Sequence, residues 1–109
     1  MVNAFCEVAS VREVLRMKEG YIDSDLELER CISSADRLLR SWAKAAGLTI
    51  PDTAPEDIVE ASKHLAAWIF KSHGDPPIND QVLFDLGKGF FDSWVAGNVD
   101  ATVDYVGSV

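Results

Sequence analysis

Between residues 25 and 47 apolar side chains return every three or four positions, at Leu28, Ile32, Ala35, Leu39, Trp42 and Ala46. That period places them on one side of an α-helix about six turns long, and a stripe of this length has to be covered by other helices. Two further stripes at the same period follow it, one at Ile58, Ala61, Leu65, Trp68 and Ile69, the other at Val82, Leu83, Leu86, Phe90 and Trp94. The fold class expected is therefore all-α, a small bundle of three to four helices with short extended segments at its N- and C-termini. The 109 residues suffice for one core and fall short of two, so one domain is expected, with its core over about residues 10–97 and a tail at 98–109.

Three helix starts carry a serine or threonine followed three residues later by glutamate: Ser10 with Glu13, Ser24 with Glu27, and Thr53 with Glu56. In that spacing each side chain can bond a backbone N–H that the other end of the turn leaves unpaired. The spacing predicts a short first helix from Ser10, with Val11, Val14 and Leu15 on a common side, ending by Gly20. Ahead of it, Ala4-Phe5-Cys6-Glu7-Val8 either runs extended or staples onto the first turn through Val8 or Ala9. The second helix ends at Gly47, and residues 47–54 read as a loop, with Pro55 in the first turn of the third helix. Acids at Asp25, Glu27 and Glu29 precede bases at Arg37, Arg40 and Lys44, an order that complements the helix dipole and accounts for the basic cluster without a ligand.

Pro76 and Pro77 stop any helix, and a fourth is expected from Asn79 or Asp80. Gly87 and Gly89 interrupt it: either another backbone approaches closely there, or the segment breaks into two short helices. After Gly97 the pattern changes to Val99, Ala101, Val103 and Tyr105 alternating with Asp100, Thr102 and Asp104, which is strand periodicity. Such a tail pairs with residues 3–8, pairs with a neighbouring subunit, or stays loose until a partner arrives. Phe91 stands beside the fourth stripe, not on it. Phe91, Val99, Asp100, Val103, Asp104 and Tyr105 are accordingly the candidate partner-binding residues.

Ten basic and eighteen acidic residues give a net charge of −8, a field that repels phosphate backbones and makes nucleic acid a poor partner. Lys88 is the last basic residue, while Asp92, Asp100 and Asp104 follow, so that end attracts a basic protein surface. No apolar run approaches the about 18 residues that span a bilayer, and Met1 to Ser10 lacks a basic start with an apolar run, so neither membrane insertion nor secretion is expected.

Catalytic chemistry finds little to use. Cys6 and Cys31 are far apart and form no CxxC pair, so both are read as reduced, partly buried thiols. His64 and His73 are nine apart, which is not the one-turn spacing of a helical zinc site. Ser33 and Ser34 lie inside a helix with no nucleophile elbow, and Gly87-Lys88-Gly89 lacks the rest of a phosphate loop. Asp23, Asp25, Glu27 and Glu29 lack the glycine and final glutamate of a calcium loop. Trp42, Trp68 and Trp94 fall on three different stripes and are expected to meet in one core. No enzyme activity, cofactor or metal is expected.

The order of elements resembles the small head-tail connector, or adaptor, proteins of tailed bacterial and archaeal viruses, over roughly residues 10–97. It is carried by Ser-Val-Arg-Glu-Val-Leu at 10–15, Asp-Ser-Asp-Leu-Glu-Leu-Glu-Arg-Cys-Ile-Ser-Ser-Ala at 23–35, Pro-Glu-Asp-Ile-Val-Glu-Ala at 55–61 and Leu-Ala-Ala-Trp-Ile-Phe at 65–70. The resemblance implies a structural virion protein that assembles as a ring at the head-tail junction, having formed in the host cytoplasm. Its partners would be the portal protein, the tail-completion or stopper protein, and further copies of itself. DNA would pass through the ring without specific binding, and the matching positions are core and cap residues with no catalytic set. A different class is a monomeric acidic helical regulatory protein that binds a single cytoplasmic protein target through the fourth helix and tail.

Overall fold

The computed structural model describes residues 4–16, 25–74 and 76–107, with side chains described from 4 to 16, 26 to 74 and 76 to 98. Four helices follow in order: α1 (Val8–Leu15), α2 (Asp25–Ala45), α3 (Glu56–Ser72) and α4 (Gln81–Gly107). The expected all-α bundle is what forms, and no strand occurs among the described residues.

In α2 Leu28, Ile32, Ala35 and Leu39 of the stripe read from sequence are buried together with Cys31 and Ala43, while Trp42 is half-buried and Ala46 lies exposed just past the helix end. Its end is set by Gly47, whose φ of 77° only glycine adopts at no steric cost. The N–H of Leu48 then reaches Ala43 O at 2.8 Å and that of Gly47 reaches Lys44 O at 3.0 Å, pairing two carbonyls that the helix end leaves free. The Ser24 cap expected at the other end lies outside the described residues.

Two of the expected caps are not used. α1 starts at Val8, two residues ahead of Ser10, with the Glu7 carbonyl accepting from the N–H of Ser10 at 3.0 Å and no side-chain cap. The anchoring of the preceding segment decides this start: Phe5 and Cys6 are buried, and the Phe5 N–H donates to Asp36 Oδ2 at 2.8 Å. α1 closes early, at Arg16, which takes the left-handed φ of 56°. α3 starts after Pro55 in extended conformation and no side chain caps it, so Thr53 plays no part; Glu56 and Asp57 in the first turn offset the free N–H groups electrostatically.

α3 is the hub, packed against each of the other three helices. It can be buried on several sides because Ala61, Ser62, Ala66 and Ala67 are small enough to let neighbours come close, while Ile58 and Leu65 fill the space between. Ser62 meets Asp36 on α2 and Trp68 meets Phe84 on α4. His64 meets Phe90. On the α2 side Leu26 and Arg30 share a recess with Ile69 and His73, so both sets of pairings run in opposite senses along the chain, and α2 and α4 both lie antiparallel to α3 and hence roughly parallel to one another.

α4 begins at Gln81, close to the expected Asn79 or Asp80, and Asp80 caps it, its carboxylate accepting from the Leu83 N–H at 3.3 Å and from Lys71 Nζ at 2.8 Å. The helix then runs unbroken through Gly87 and Gly89, so the close-approach alternative holds for Gly87: a Cβ there would lie 2.6 Å from Leu65 Cγ. A Cβ at Gly89 would meet nothing within 4 Å. The helix also continues through Gly107, where the alternation from Val99 to Tyr105 predicts an extended tail. An unpaired strand leaves its backbone groups without an edge, whereas a continuing helix satisfies them internally, and this outweighs the local alternation.

Candidate partner-binding surface

The inward face of α4 differs by one position from the predicted stripe. Leu83, Phe91 and Trp94 are buried, with Gly87 between them against Leu65, whereas Val82 is 66% exposed and Leu86 43%. Phe90 is only half-buried, stacked near His64 at 5.5 Å between ring centroids. Phe91, taken from sequence as a partner contact, is instead a core residue, 4% exposed and packed on the rings of Trp42 and Trp94 at 5.4 and 5.9 Å. The signal that could have placed it was Gly87: a glycine at the closest helix crossing puts the inward face on 83, 87, 91 and 94, at i, i+4, i+8 and i+11.

The three tryptophans do meet, through two phenylalanines. Trp68 packs on Phe84 at 4.9 Å, Phe84 on Trp42 at 6.1 Å, and Trp42 on Phe91, which reaches Trp94. Trp68 and Trp42 are partly exposed, and the indole of Trp68 donates to Asn79 Oδ1 at 2.9 Å, which ties the loop before α4 to α3. Lys88 lies over Trp42 at 5.5 Å and pairs with Asp92 at 2.9 Å, closing the seam on its wet side.

Between α2 and α3 a polar group is fully enclosed. Ser62 Oγ lies 2.6 Å from Asp36 Oδ1 and 3.2 Å from Cys6 Sγ. One hydroxyl carries one proton, which serves the carboxylate, leaving the thiol proton for Ser62 Oγ. Burial pushes the Cys6 thiol up to about 11, which keeps that proton in place. Burial also raises the Asp36 carboxyl, against the lowering influence of Ser62, the Phe5 N–H and Arg40. Arg40 stacks on the Phe5 ring at 4.3 Å. The group is buried and fastens the N-terminal segment to α2 and α3.

Recesses mark the outer surface of the described residues, one of them at the end of α2 lined by Arg40, Lys44, Leu48, Thr49, Ile50 and Asp52. Another, of about 400 Å³, lies between the start of α2 and the end of α3, with Leu26, Cys31 and Ile69 as apolar lining and Arg30, Ser34 and His73 among its polar groups. It adjoins one along α2 that adds Ser33 and Arg37. A further recess, about 320 Å³, lies on the outer side of α4, lined by Asp85, Leu86, Gly89, Phe90 and Ser93. Leu26, Ile78, Val82 and Leu86 are the large apolar side chains left exposed among the described residues.

His64 bonds the Glu60 carbonyl through Nδ1 at 2.8 Å, and His73 supplies the last N–H of α3; the two do not converge. Among the described residues no three of His, Cys, Asp and Glu come together in a geometry that holds a metal ion, and no helix is long and apolar enough to cross a membrane. Val99, Asp100, Val103, Asp104 and Tyr105 lie on the last turns of α4, and their side chains are outside the described residues. Comparison of the chain with protein-family models, with curated proteins and with solved structures finds no match.

Proposed function

We propose that this chain is a non-catalytic assembly subunit, a helical adaptor that joins copies of itself into a ring at the head-tail junction of a tailed virus. Its contacts would be the portal on one side and the tail-completion protein on the other. One observation carries the assembly part: α4 outruns the bundle. Among its described side chains the last buried one is Trp94, Ala96, Gly97 and Asn98 are exposed, and the helical backbone continues to Gly107. A helix of 27 residues is about 40 Å long, close to the long dimension of a small domain. The virion setting comes from the resemblance over residues 10–97, and the net charge of −8 suits a channel that DNA slides through without sticking.

The test is affinity purification of the tagged chain from its native source at moderate salt, with mass spectrometry of what accompanies it. Recovery of portal and tail-completion proteins together is the expected result. Recovery of one cellular protein in a one-to-one complex, with no virion component, overturns the ring and favours a regulatory binder.

A further inference from the structure

The outward face of α2 is a cationic ridge on an acidic molecule. Arg30, Ser33, Ser34, Arg37, Ser41 and Lys44 recur at i, i+3, i+4, i+7, i+11 and i+14, one face of a helix, and all are exposed or half-exposed. From Arg30 to the end of α2 the one carboxylate is Asp36, which is buried and bonded to Ser62 and the Phe5 N–H. Glu27 and Glu29 stand beside Arg30, but lie about 12 Å or more along the axis from Arg37. Past the helix end the ridge runs into the recess of Arg40, Lys44, Leu48, Thr49, Ile50 and Asp52, whose one acid leaves it net positive. Lys63, Lys71 and Lys88 hold the carboxylates of Glu60, Asp80 and Asp92. Among the described residues Arg37 and Lys44 hold none, and Arg40 lies over the Phe5 ring. The helix dipole favours Lys44 in the last turn but does not reach Arg37, two turns earlier.

We infer that this ridge, centred on Arg37, Arg40 and Lys44, is a contact surface for the phosphate backbone of a nucleic acid, held without regard to sequence. Between the cations stand the hydroxyls of Ser33, Ser34 and Ser41, with no apolar side chain among them. Guanidinium, ammonium and hydroxyl groups are the donors that hold phosphate oxygens, whereas protein interfaces centre on apolar and aromatic side chains and are poor in Lys and Ser. Arg37 and Lys44 are about 10.5 Å apart along the axis, close to three phosphate steps of about 3.4 Å, so a helix lying along a strand engages both. The net charge of −8 makes nucleic acid a poor partner for the molecule as a whole, but at about 0.1 M salt charges more than about 10 Å away are largely screened. The ridge then acts on its own, and it does so whether or not the chain forms a ring.

Fluorescence anisotropy of the full chain with a labelled mixed-sequence duplex of about 30 base pairs tests this, with binding expected at about 100 μM or tighter in about 50 mM salt. The slope of log K against log salt should lie near −3, from about −0.9 for each of three to four phosphates. Arg37→Gln with Lys44→Gln should weaken binding at least about tenfold and flatten that slope by about 2. Lys63→Gln with Lys88→Gln removes the same charge elsewhere and should leave the slope unchanged, circular dichroism verifying that both variants fold. No binding up to the highest soluble concentration overturns the proposal, as does equal weakening by the two pairs, which would mean that net charge alone acts. Polyglutamate that competes as well as unlabelled duplex at equal charge assigns the ridge to acidic proteins and overturns it too. If portal and tail-completion proteins are recovered and DNA is not bound, this inference fails alone. If DNA is bound and neither protein is recovered, the ridge stands and the virion setting fails.

Discussion

α2 and α4 flank the same hub helix and use it in opposite ways. α2 meets α3 through aliphatic and small side chains, buries its stripe from Leu28 to Ala43, and encloses a carboxylate and a hydroxyl that bond each other. α4 meets α3 through aromatic rings and one glycine, buries Leu83, Phe91 and Trp94 among its described side chains, and leaves Val82 and Leu86 in water. The α2 seam is thus committed to the fold, while α4 divides its length between the bundle and whatever lies outside it.

The largest effect expected from breaking this contrast is at the last anchor of α4. Trp94→Ala should cost about 3–5 kcal/mol as a core truncation, read from urea unfolding, whereas Trp42→Ala, partly exposed, should fall near the bottom of that range. Equal and negligible changes in the melting curve would mean that α4 is not held by its aromatic seam. Next comes Gly87→Val, expected to cost up to about 3 kcal/mol because its side chain collides with Leu65. Combining it with Leu65→Ala should recover part of the loss, and strict additivity of the two would show that the collision is relieved elsewhere.

On the α2 side, Asp36→Asn should cost about 1–3 kcal/mol, since an amide offers one acceptor oxygen where Ser62 and the Phe5 N–H require two. The pH dependence has a definite sign. Burial lifts the folded carboxyl above its ordinary value of 3.8, so the folded state binds the proton more tightly than the unfolded chain. The contribution of this group is then greatest below the ordinary carboxylate range and declines as pH rises through the folded pKa. Denaturant midpoints compared between wild type and Asp36→Asn across mildly acid pH should show that decline in wild type alone. The smallest effect is Gly89→Ala, two residues from Gly87 and facing open space, which should stabilise by up to about 1 kcal/mol through helix propensity.

Sequence and structure agree best where one rule governs. The stripe of α2 has a single partner face and a glycine stop, and both were readable from periodicity and backbone sterics. The start of α1 was not, because the bond from Phe5 to Asp36 spans 31 positions and no local spacing announces it. The face of α4 was displaced by one residue because a glycine contributes no hydrophobicity to a stripe, although Gly87 is the point of closest approach. Phe91 followed from that displacement, moving from expected partner contact to core. The tail was misread as extended for a different reason: alternation in a short valine-rich segment specifies a strand only where an edge exists to receive it.

The two thiols double as a clock on the native state. Burial lifts both Cys6 and Cys31 to about 11, so in the closed molecule both are held as neutral thiols at neutral pH and resist alkylation. Labelling then proceeds through opening events, and the two sites open differently. Cys6 is released when the segment ahead of α1 detaches from Asp36 and Ser62, whereas Cys31 lines the outer recess between α2 and α3 and serves as the reference site. The ratio of their alkylation rates is therefore a direct count of how often the N-terminal segment lets go without the rest of the molecule unfolding.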